Sequence, residues 1–376
     1  MNKIKIIHVA HAVGGVDTYI RLLINNVNPD RFENIVVNGK TDSNKPYFDY
    51  NLKPIKNYKT NIVRNISVIN DIIAIAQIFK IVKKENPDII HAHSTKGGVL
   101  GRVVGFMCNK KTFFTPNAYS YLSTNNFLKK KLYILIEKIL SKTNSALIAT
   151  SNSELENGLT NGGYNKVNSN LFNNCIEPIL EINDLTIQKT WPHKYICSVG
   201  RPSYQKNIEL MIEVIHLLKQ KTDIHLVLMG VGHYMNQLET VKNLIIKLNL
   251  QNNVTLLNWT SREDVFNVIK NSHIYVSTAR YEGLPYSVIE SMALAKPCVV
   301  SNCDGNRDLI IDDQNGFLIN SNKPVDFCNK ILDLLSDDNK LNSFSKNALD
   351  LFNKNYNIKK NIVLLENLYS ANIFKK

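Results

Sequence analysis

Short apolar runs alternate with longer amphipathic stretches along most of this chain, and this alternation limits the folds that it can adopt. Runs such as KIKIIHVA, PDIIHAH and YICSVGR have the length of buried strands, whereas TYIRLLINNV and NIELMIEVIHLLKQ carry apolar residues at helical spacing. Strand, helix and strand in this repeated order form parallel sheets that helices cover on both faces. The sequence therefore predicts an α/β protein.

The length of the chain indicates two domains. Its 376 residues are too many for one core. Residues 178–194, PILEINDLTIQKTWPHK, contain two prolines and no sustained periodicity, so we place a linker there. We predict an N-terminal domain over residues 1–180 and a C-terminal domain over 190–356, with a last helix, about 357–376, that packs back on the first. Ligands of doubly wound sheets bind at the carboxyl ends of strands, so the expected site is a cleft between the domains.

The sequence carries no signal for export. No apolar run approaches the roughly 20 residues that cross a bilayer, and MNKIKIIHVAHAVGG lacks the small-residue cleavage site of a signal peptide. The six cysteines are scattered without C-x-x-C spacing, which indicates neither a zinc site nor a disulfide framework. We therefore expect a cytoplasmic protein with reduced cysteines.

The net charge of +13 is concentrated in the first half of the chain. Residues 1–180 contain 23 Lys and Arg against 12 Asp and Glu, whereas residues 181–376 contain 22 against 20. The asymmetry indicates an anionic partner: nucleic acid, a phosphorylated substrate or an acidic membrane surface. The alternative is a base composition that favours lysine, although such an effect should act equally on both halves. Nucleic acid is the least favoured, because no basic and aromatic interleaving and no helix-turn-helix signature occurs.

Two strand-to-helix turns contain residues suited to a phosphate ligand. Gly14 and Gly15 follow the first strand and allow close approach of the backbone, although a tight turn without ligand is equally compatible. Arg201 and Lys206 lie between Gly200 and the next helix. Two cations beside a helix N-terminus suit a diphosphate, and the alternative is a solvated loop with ordinary surface charges.

The stretch RYEGLPYSVIESMALAKPCVVSN (280–302) places two carboxylates around a helix start. Pro285 suits the first helical turn, so Glu282 lies in the turn and Glu290 lies on the helix, five residues and about 7.5 Å along the axis from Pro285. Carboxylates accept hydrogen bonds from the paired hydroxyls of ribose and hexose, and backbone N–H groups over 283–286 favour an anion. The arrangement fits a sugar nucleotide. Taken singly, an exposed loop charge and an exposed helix residue are the alternatives.

These residues resemble a known family. The order Glu282-Gly283-Leu284-Pro285, then Glu290, is similar to the E-x7-E signature of family 4 retaining glycosyltransferases, which have the GT-B fold: two facing Rossmann-like domains with parallel sheets and an interdomain cleft. Further landmarks of the family occur in order over nearly the whole chain: Gly14-Gly15, HAHSTKGGVLGR (91–102), TPNAYSYL (115–122), SNSE (151–154), GRPSYQKN (200–207), LMGVG (228–232) and GNRDLI with NGFLI (305–319).

The resemblance implies a role for each matching residue. As catalytic residues, Arg201 and Lys206 would neutralise the donor diphosphate as it leaves, and Glu282 would hold hydroxyls of the transferred sugar. Glu290 would bind the ribose. The other substrate-binding positions implied are Gly14 and Gly15, from the first domain, and Gly283, Leu284 and Pro285, beside the sugar. Neither a metal nor a cofactor is expected, because protein cations and helix ends do the work of magnesium, and no D-x-D motif occurs.

The acceptor side is expected in the first domain. Asn117 of TPNAYSYL stands where many relatives have histidine, so it can hydrogen-bond a sugar but cannot take a proton at neutral pH. His91 and His93 follow a strand and could face the cleft, and we include His93 among the substrate-binding residues. Hydrogen-bonded structural histidines are the alternative.

Residues 125–142, NNFLKKKLYILIEKILSK, have apolar residues at helical spacing with lysines around them. Such a helix could lie on an anionic membrane surface, or it could pack on its own domain. The HAHSTKGGVLGR and GNRDLI wordings resemble the branch of the family that builds bacterial surface polysaccharides on polyprenyl diphosphate carriers.

The sequence thus predicts a retaining, metal-independent glycosyltransferase. It would move a hexose or N-acetylhexosamine from a nucleotide donor, expected to be UDP-linked, to a polyprenyl-diphosphate-linked saccharide in O-antigen or capsule biosynthesis. It would act as a peripheral protein at the inner face of the cytoplasmic membrane. The alternatives are a nucleotide-sugar epimerase of the same fold and a nucleic-acid-binding protein.

Overall fold

The computed structural model describes residues 3–232 and 237–371. The chain divides into two compact units, which we call the N-terminal and C-terminal domains. The N-terminal domain runs to Glu177 and includes the last helix from Ile358, whereas the C-terminal domain is Pro178–Asn357. The sequence places this boundary at 180 and the last helix from about 357. Residues 372–376 of that expected helix lie outside the described residues.

The N-terminal domain is built on a seven-stranded parallel sheet with the order β3-β2-β1-β4-β5-β6-β7. Its strands are β1 (Ile4–Val9), β2 (Phe32–Gly39), β3 (Lys56–Thr60), β4 (Ile89–His93), β5 (Lys111–Thr115), β6 (Ser145–Ala149) and β7 (Ser169–Leu171). Its helices are α1 (Gly15–Asn26), α2 (Val68–Glu85), α3 (Ser94–Met107), α4 (Phe127–Leu140), α5 (Asn152–Thr160) and, after the other domain, α13 (Ile358–Ala371).

The C-terminal domain has a six-stranded parallel sheet with the order β10-β9-β8-β11-β12-β13. Its strands are β8 (Tyr195–Val199), β9 (His225–Met229), β10 (Val254–Leu257), β11 (Tyr275–Ser277), β12 (Cys298–Ser301) and β13 (Gly316–Ile319). Its helices are α6 (Ile208–Lys219), α7 (Leu238–Lys247), α8 (Arg262–Asn271), α9 (Tyr286–Ala293), α10 (Asn306–Leu309), α11 (Pro324–Leu335) and α12 (Asp338–Asn355).

Helices cover both faces of the N-terminal sheet. In β1, Ile7 and Val9 pack with Ile78 of α2 and Leu100 of α3 in one buried cluster. Since successive strand residues point to opposite faces, His8 lies on the other face, which α1 and α13 cover. The prediction of two Rossmann-like, parallel-sheet domains is confirmed.

The segment predicted as a linker, 178–194, belongs to the C-terminal domain. The buried Asp264 carboxylate accepts hydrogen bonds from the Thr186 amide and hydroxyl, both at 2.7 Å. Burial acts to raise the pKa of Asp264, but these bonds and those of Thr260 and Ser261 outweigh it and lower the pKa to about 2. Contacts with Asp264 therefore hold this segment in place, and the sequence of the segment alone does not predict them.

Candidate functional site

Two neighbouring strands of the C-terminal domain, β8 and β11, lead into the loops that contain the predicted donor-binding residues. The loop after β8 spans 200–207 and the loop after β11 spans 278–285. The two loops are tied together, because the Arg280 amide donates to the Gln205 carbonyl at 2.8 Å and the Thr278 hydroxyl donates to the carbonyl of Asn207 at 2.9 Å. Side chains on the two loops therefore keep a fixed relation to each other.

Lys206 and Glu282 form an ion pair across these loops. Lys206 Nζ lies 2.6 Å from Glu282 Oε1, and Gln205 Nε2 donates to Glu282 Oε2 at 3.1 Å. The Glu282 side chain is mostly buried, and each of its two oxygens has a protein partner. The sequence assigns these two residues to different parts of a donor, and the structure places them in direct contact.

Arg201 lies on the first of the two loops with its side chain exposed. It forms no ion pair with any of the described residues. A guanidinium without a partner on a loop that already holds Lys206 can bind an arriving phosphate in its planar fork.

Helix α9 begins directly after the second loop, and no side chain among the described residues caps its N-terminus. Leu284 and Pro285 are buried, and Gly283 is half-buried. An uncapped helix N-terminus carries partial positive charge that favours an anion. The helix start is in the expected position. An anion beside it stays a prediction.

Glu290 is buried within α9 and pairs with Arg262, the first residue of α8. Arg262 Nη2 lies 2.8 Å from Glu290 Oε1. Burial raises the pKa of Glu290, and the Arg262 guanidinium opposes the shift. Sequence reasoning missed Arg262, because 28 residues separate the two and no local spacing links them.

The loop after β12 packs behind the Glu282 turn and requires a glycine. Gly305 has a φ of 81°, and a Cβ atom there would lie 2.6 Å from the Gly283 carbonyl oxygen. Asn306 is fully buried and donates to the Ser301 carbonyl at 3.0 Å. The GNRDLI motif therefore supports the backbone that presents Glu282.

In the N-terminal domain, the glycine turn after β1 is anchored by a buried carboxylate. Asp42 Oδ2 accepts from the amides of Ala12 and Gly39 at 2.7 and 2.9 Å, and Oδ1 lies 2.7 Å from His11 Nδ1. Burial opposes these contacts, yet they hold the pKa of Asp42 below its usual range. Gly14 has a φ of 60° and open space where a Cβ would stand. Sequence reasoning missed Asp42, which follows β2 at the same edge of the sheet as the glycine turn.

Three histidines stand side by side on β1 and β4, fully buried against α1 and α13. His8 Nε2 lies 3.0 Å from Asn34 Oδ1, which only accepts, so Nε2 carries the hydrogen. His8 Nδ1 then accepts from His93 Nε2 at 3.0 Å. His91 contacts the Tyr369 hydroxyl at 2.7 Å and the Thr115 hydroxyl at 2.8 Å. Burial lowers the pKa of all three rings, to about 4 for His8, so all are neutral at pH 7.

This histidine cluster is the one group among the described residues whose ligand atoms are close enough together to hold a metal ion. Both ring nitrogens of His8 and of His91 already have protein partners, so a metal would have to displace those hydrogen bonds. The side chain of His93 is likewise enclosed within its own domain. This placement fits the structural alternative, and substrate binding by His93 stays a prediction.

Asn117 lies in a strained turn that Glu154 holds. Asn117 and Ala118 both have positive φ angles, 51° and 77°, which residues with a Cβ adopt only at a cost. The Ala118 amide donates to Glu154 Oε1 at 2.7 Å, and Thr150 donates twice to Oε2. Asn117 Nδ2 is buried with no partner among the described residues. The SNSE motif therefore supplies Glu154 as the support of this turn, a role that the sequence did not reveal.

Residues 13–178 match the family described as Glycosyltransferase Family 4, and residues 186–350 match that described as Glycosyl transferases group 1. The chain belongs to the family 4 glycosyltransferases. The two ranges together cover most of this glycosyltransferase, as the sequence motifs do.

Individual relatives agree with this assignment. A UDP-Gal:alpha-D-GlcNAc-diphosphoundecaprenol alpha-1,3-galactosyltransferase of Escherichia coli is 29% identical over 327 residues, which cover 84% of this chain and 83% of that protein. The capsular polysaccharide biosynthesis glycosyltransferase CapM of Staphylococcus aureus is 23% identical over 76% of this chain and 79% of its own length.

Solved structures show the same fold. Sucrose-phosphate synthase of Thermosynechococcus elongatus has a TM-score of 0.84 at 17% identity, with both chains fully covered. HepE of Anabaena, in complex with UDP, has a TM-score of 0.79 at 16% identity, covering 98% of this chain and all of that one. The predicted site residues of this glycosyltransferase are divided between its two domains. The C-terminal domain contains Lys206, Glu282, Glu290 and the start of α9. The N-terminal domain contains Gly14, Gly15, His93 and Asn117.

Proposed function

We propose that this glycosyltransferase moves a hexose or N-acetylhexosamine from a UDP-linked donor to a saccharide carried on polyprenyl diphosphate. One observation carries the proposal: two carboxylates, each paired with a cation, flank the start of α9. The E. coli relative named above acts on a carrier-linked acceptor, and HepE was solved with UDP, which supports both halves of the proposal.

The donor is bound by groups already in place. Arg201 and Lys206 neutralise the diphosphate together with the positive end of α9. Lys206 stays beside Glu282, so the carboxylate that holds the sugar hydroxyls and the cation that holds the phosphate are positioned together. Glu290 binds the ribose through the oxygen that Arg262 does not use. Positive charge aimed at the leaving group stabilises it as charge develops there.

Transfer proceeds with retention of configuration. The bond between the anomeric carbon and the donor phosphate oxygen breaks, and a bond to the acceptor hydroxyl oxygen forms on the same face of the sugar. The hydroxyl proton passes to the departing diphosphate, and UDP leaves. No metal or cofactor is required, because Arg201, Lys206 and the α9 terminus supply the positive charge. The reaction belongs to O-antigen or capsule biosynthesis at the inner face of the cytoplasmic membrane.

A transfer assay tests the proposal. Purified enzyme is incubated with labelled UDP-galactose, UDP-glucose or UDP-N-acetylglucosamine and a synthetic GlcNAc-diphosphate-lipid, with and without EDTA. We expect one donor to give an extended lipid product with an α linkage by NMR, at equal rates in both conditions. Conversion of donor without acceptor would instead favour the epimerase. A β linkage would contradict retention, and loss of the product in EDTA would contradict metal independence.

A further inference from the structure

The apolar side of α4 faces away from the domain. Leu128, Leu132, Leu135 and Ile139 recur at helical spacing and so form one stripe along the helix. Their side chains are between 51% and 76% exposed, and Phe127 at the helix start is 66% exposed. Such a stripe would be buried if α4 simply packed on its own domain. Packing on its own domain, one of the two alternatives, therefore accounts for the buried Glu137 and Leu140 of α4 but not for this face.

The charged side chains on the exposed side of α4 are all cationic. Four exposed lysines flank the stripe: Lys129, Lys131, Lys138 and, just after the helix, Lys142. Lys130 is also exposed, but it lies seven residues before Glu137 and so on that residue's side of the helix. The one acidic residue of the segment, Glu137, is turned inward and is 2% exposed. The exposed face of α4 therefore combines apolar side chains with positive charge and carries no carboxylate.

Arg102 fixes this orientation. Arg102 Nη2 lies 2.8 Å from Glu137 Oε2, and the guanidinium stacks 3.8 Å from the centre of the Phe114 ring. Its Nε donates to the Gly98 carbonyl at 2.9 Å, and the whole side chain is buried. A buried ion pair holds one rotation of the helix, because any other rotation would leave a charge unpaired in the core. Arg102, in the HAHSTKGGVLGR motif, thus keeps the stripe outward.

We infer that α4 is the membrane-contacting surface of this protein and that its partner is a bilayer containing anionic phospholipids. Apolar side chains on one stripe enter the interface while flanking lysines meet acidic headgroups. The absence of any exposed carboxylate on α4 favours an anionic surface over a neutral one. The inference deepens the proposed function, since a carrier-linked acceptor is membrane-bound, but it rests on α4 and not on the donor site.

Vesicle co-sedimentation of the full chain tests this inference. Two vesicle types are used: phosphatidylcholine alone, and phosphatidylcholine with one quarter phosphatidylglycerol. We expect binding to the anionic vesicles, weakened by 0.5 M NaCl, and little binding to the neutral ones. Lys131→Glu with Lys138→Glu, two exposed lysines on one flank of the stripe, should raise the vesicle concentration for half-binding at least about tenfold. Leu132→Ser with Leu135→Ser should also weaken binding, with salt dependence retained.

Matched controls separate charge from position. Lys346 and Lys354 are exposed on α12, so Lys346→Glu with Lys354→Glu makes the same change of charge elsewhere and should leave binding unchanged. Equal losses from both lysine pairs, unchanged binding by the α4 variants, or equal binding to both vesicle types would each overturn the inference. Thermal stabilisation by UDP is measured on every variant, so failure of the donor site is seen separately. If one of the two α4 double variants fails to fold, vesicle binding by the other tests the inference.

Discussion

The two domains place different side chains at the same edge of their sheets. In the C-terminal domain, the adjacent central strands β8 and β11 lead into loops where Lys206 pairs with Glu282 at 2.6 Å. In the N-terminal domain, the corresponding adjacent strands β1 and β4 carry His8, His91 and His93, which are buried and neutral. The same strand arrangement therefore supports a charged, partly open site in one domain and an uncharged hydrogen-bonded cluster in the other.

The difference shows what burial does to an ionisable group. Burial favours the neutral form, so it lowers the pKa of the histidines and raises the pKa of Glu290. In the C-terminal domain, Glu282 and Glu290 each lie beside a cation. The histidines have only neutral partners and remain uncharged. Substitutions in the C-terminal site should therefore change ligand affinity and turnover. Substitutions in the histidine cluster should change the stability of the folded protein.

Loss of Glu282 should have the largest effect on activity. Glu282→Ala removes the proposed contact to the sugar and leaves Lys206 and Gln205 without their partner, so turnover should fall by several orders of magnitude. Thermal stability should fall less than activity, because the Lys206 side chain is 21% exposed and can be solvated once its partner is lost. The measurement is the initial rate of transfer at saturating donor, with Glu213→Ala, at an exposed position on α6, as the control. Rates within threefold of wild type would remove Glu282 from the site.

The histidine cluster should make stability depend on pH. Burial lowers the pKa of His8 from 6.5 to about 4, so between these values the unfolded chain binds a proton that the folded chain does not. Stability is complete above pH 6.5 and falls as pH drops toward 4, by about 3 kcal/mol for His8 alone. Urea unfolding from pH 7 to 5 measures this, and His8→Gln should flatten the profile. A flat wild-type profile would contradict a neutral, buried ring.

His91→Leu should destabilise the N-terminal domain without affecting nucleotide binding. The substitution leaves the hydroxyls of Tyr369 and Thr115 without the ring that they contact, at a cost of about 2 kcal/mol. Thermal unfolding and UDP titration are compared with those of His193→Leu, which changes an exposed histidine. If His91→Leu weakened UDP binding and left stability unchanged, the structural role of the histidine cluster would be contradicted.

Glu290→Ala should have the smallest effect, and on binding rather than turnover. One lost hydrogen bond to the ribose corresponds to about 1.5 kcal/mol, or roughly tenfold in the dissociation constant of UDP. Arg262→Met should make UDP binding weaken further at low pH, because the Arg262 charge opposes the raised pKa of Glu290. Calorimetric titration at pH 8 and 6 measures both. A larger loss of turnover than of affinity would contradict ribose binding by Glu290.

Sequence reasoning predicted the fold where strands are apolar and buried. β1 and β4 were placed within two residues, but β3, KNYKT, was missed because an edge strand with one face in water contains few apolar residues. The turns after β8 and β11 were located correctly by their glycines and prolines.

Partners distant in sequence could not be predicted. Arg262 beside Glu290 and Asp42 beside the glycine turn depend on which strands are neighbours in the sheet. The amphipathic pattern of α4 was recognised, but the pattern alone places the apolar stripe inward as readily as outward. The buried pair of Glu137 with Arg102 decides the rotation, and that contact joins residues 35 positions apart.

Nucleotide binding tests the assignment of the C-terminal domain most directly. Thermal unfolding of the purified chain is measured with UDP, GDP, ADP and a panel of UDP-sugars, with and without EDTA. Ligand at 100 times its dissociation constant adds about 2.7 kcal/mol, which is visible as a raised midpoint. We predict a shift that is selective for UDP, unaffected by EDTA and reduced in Glu290→Ala. No shift with any nucleotide would contradict the assignment of Lys206, Glu282 and Glu290 to a donor site.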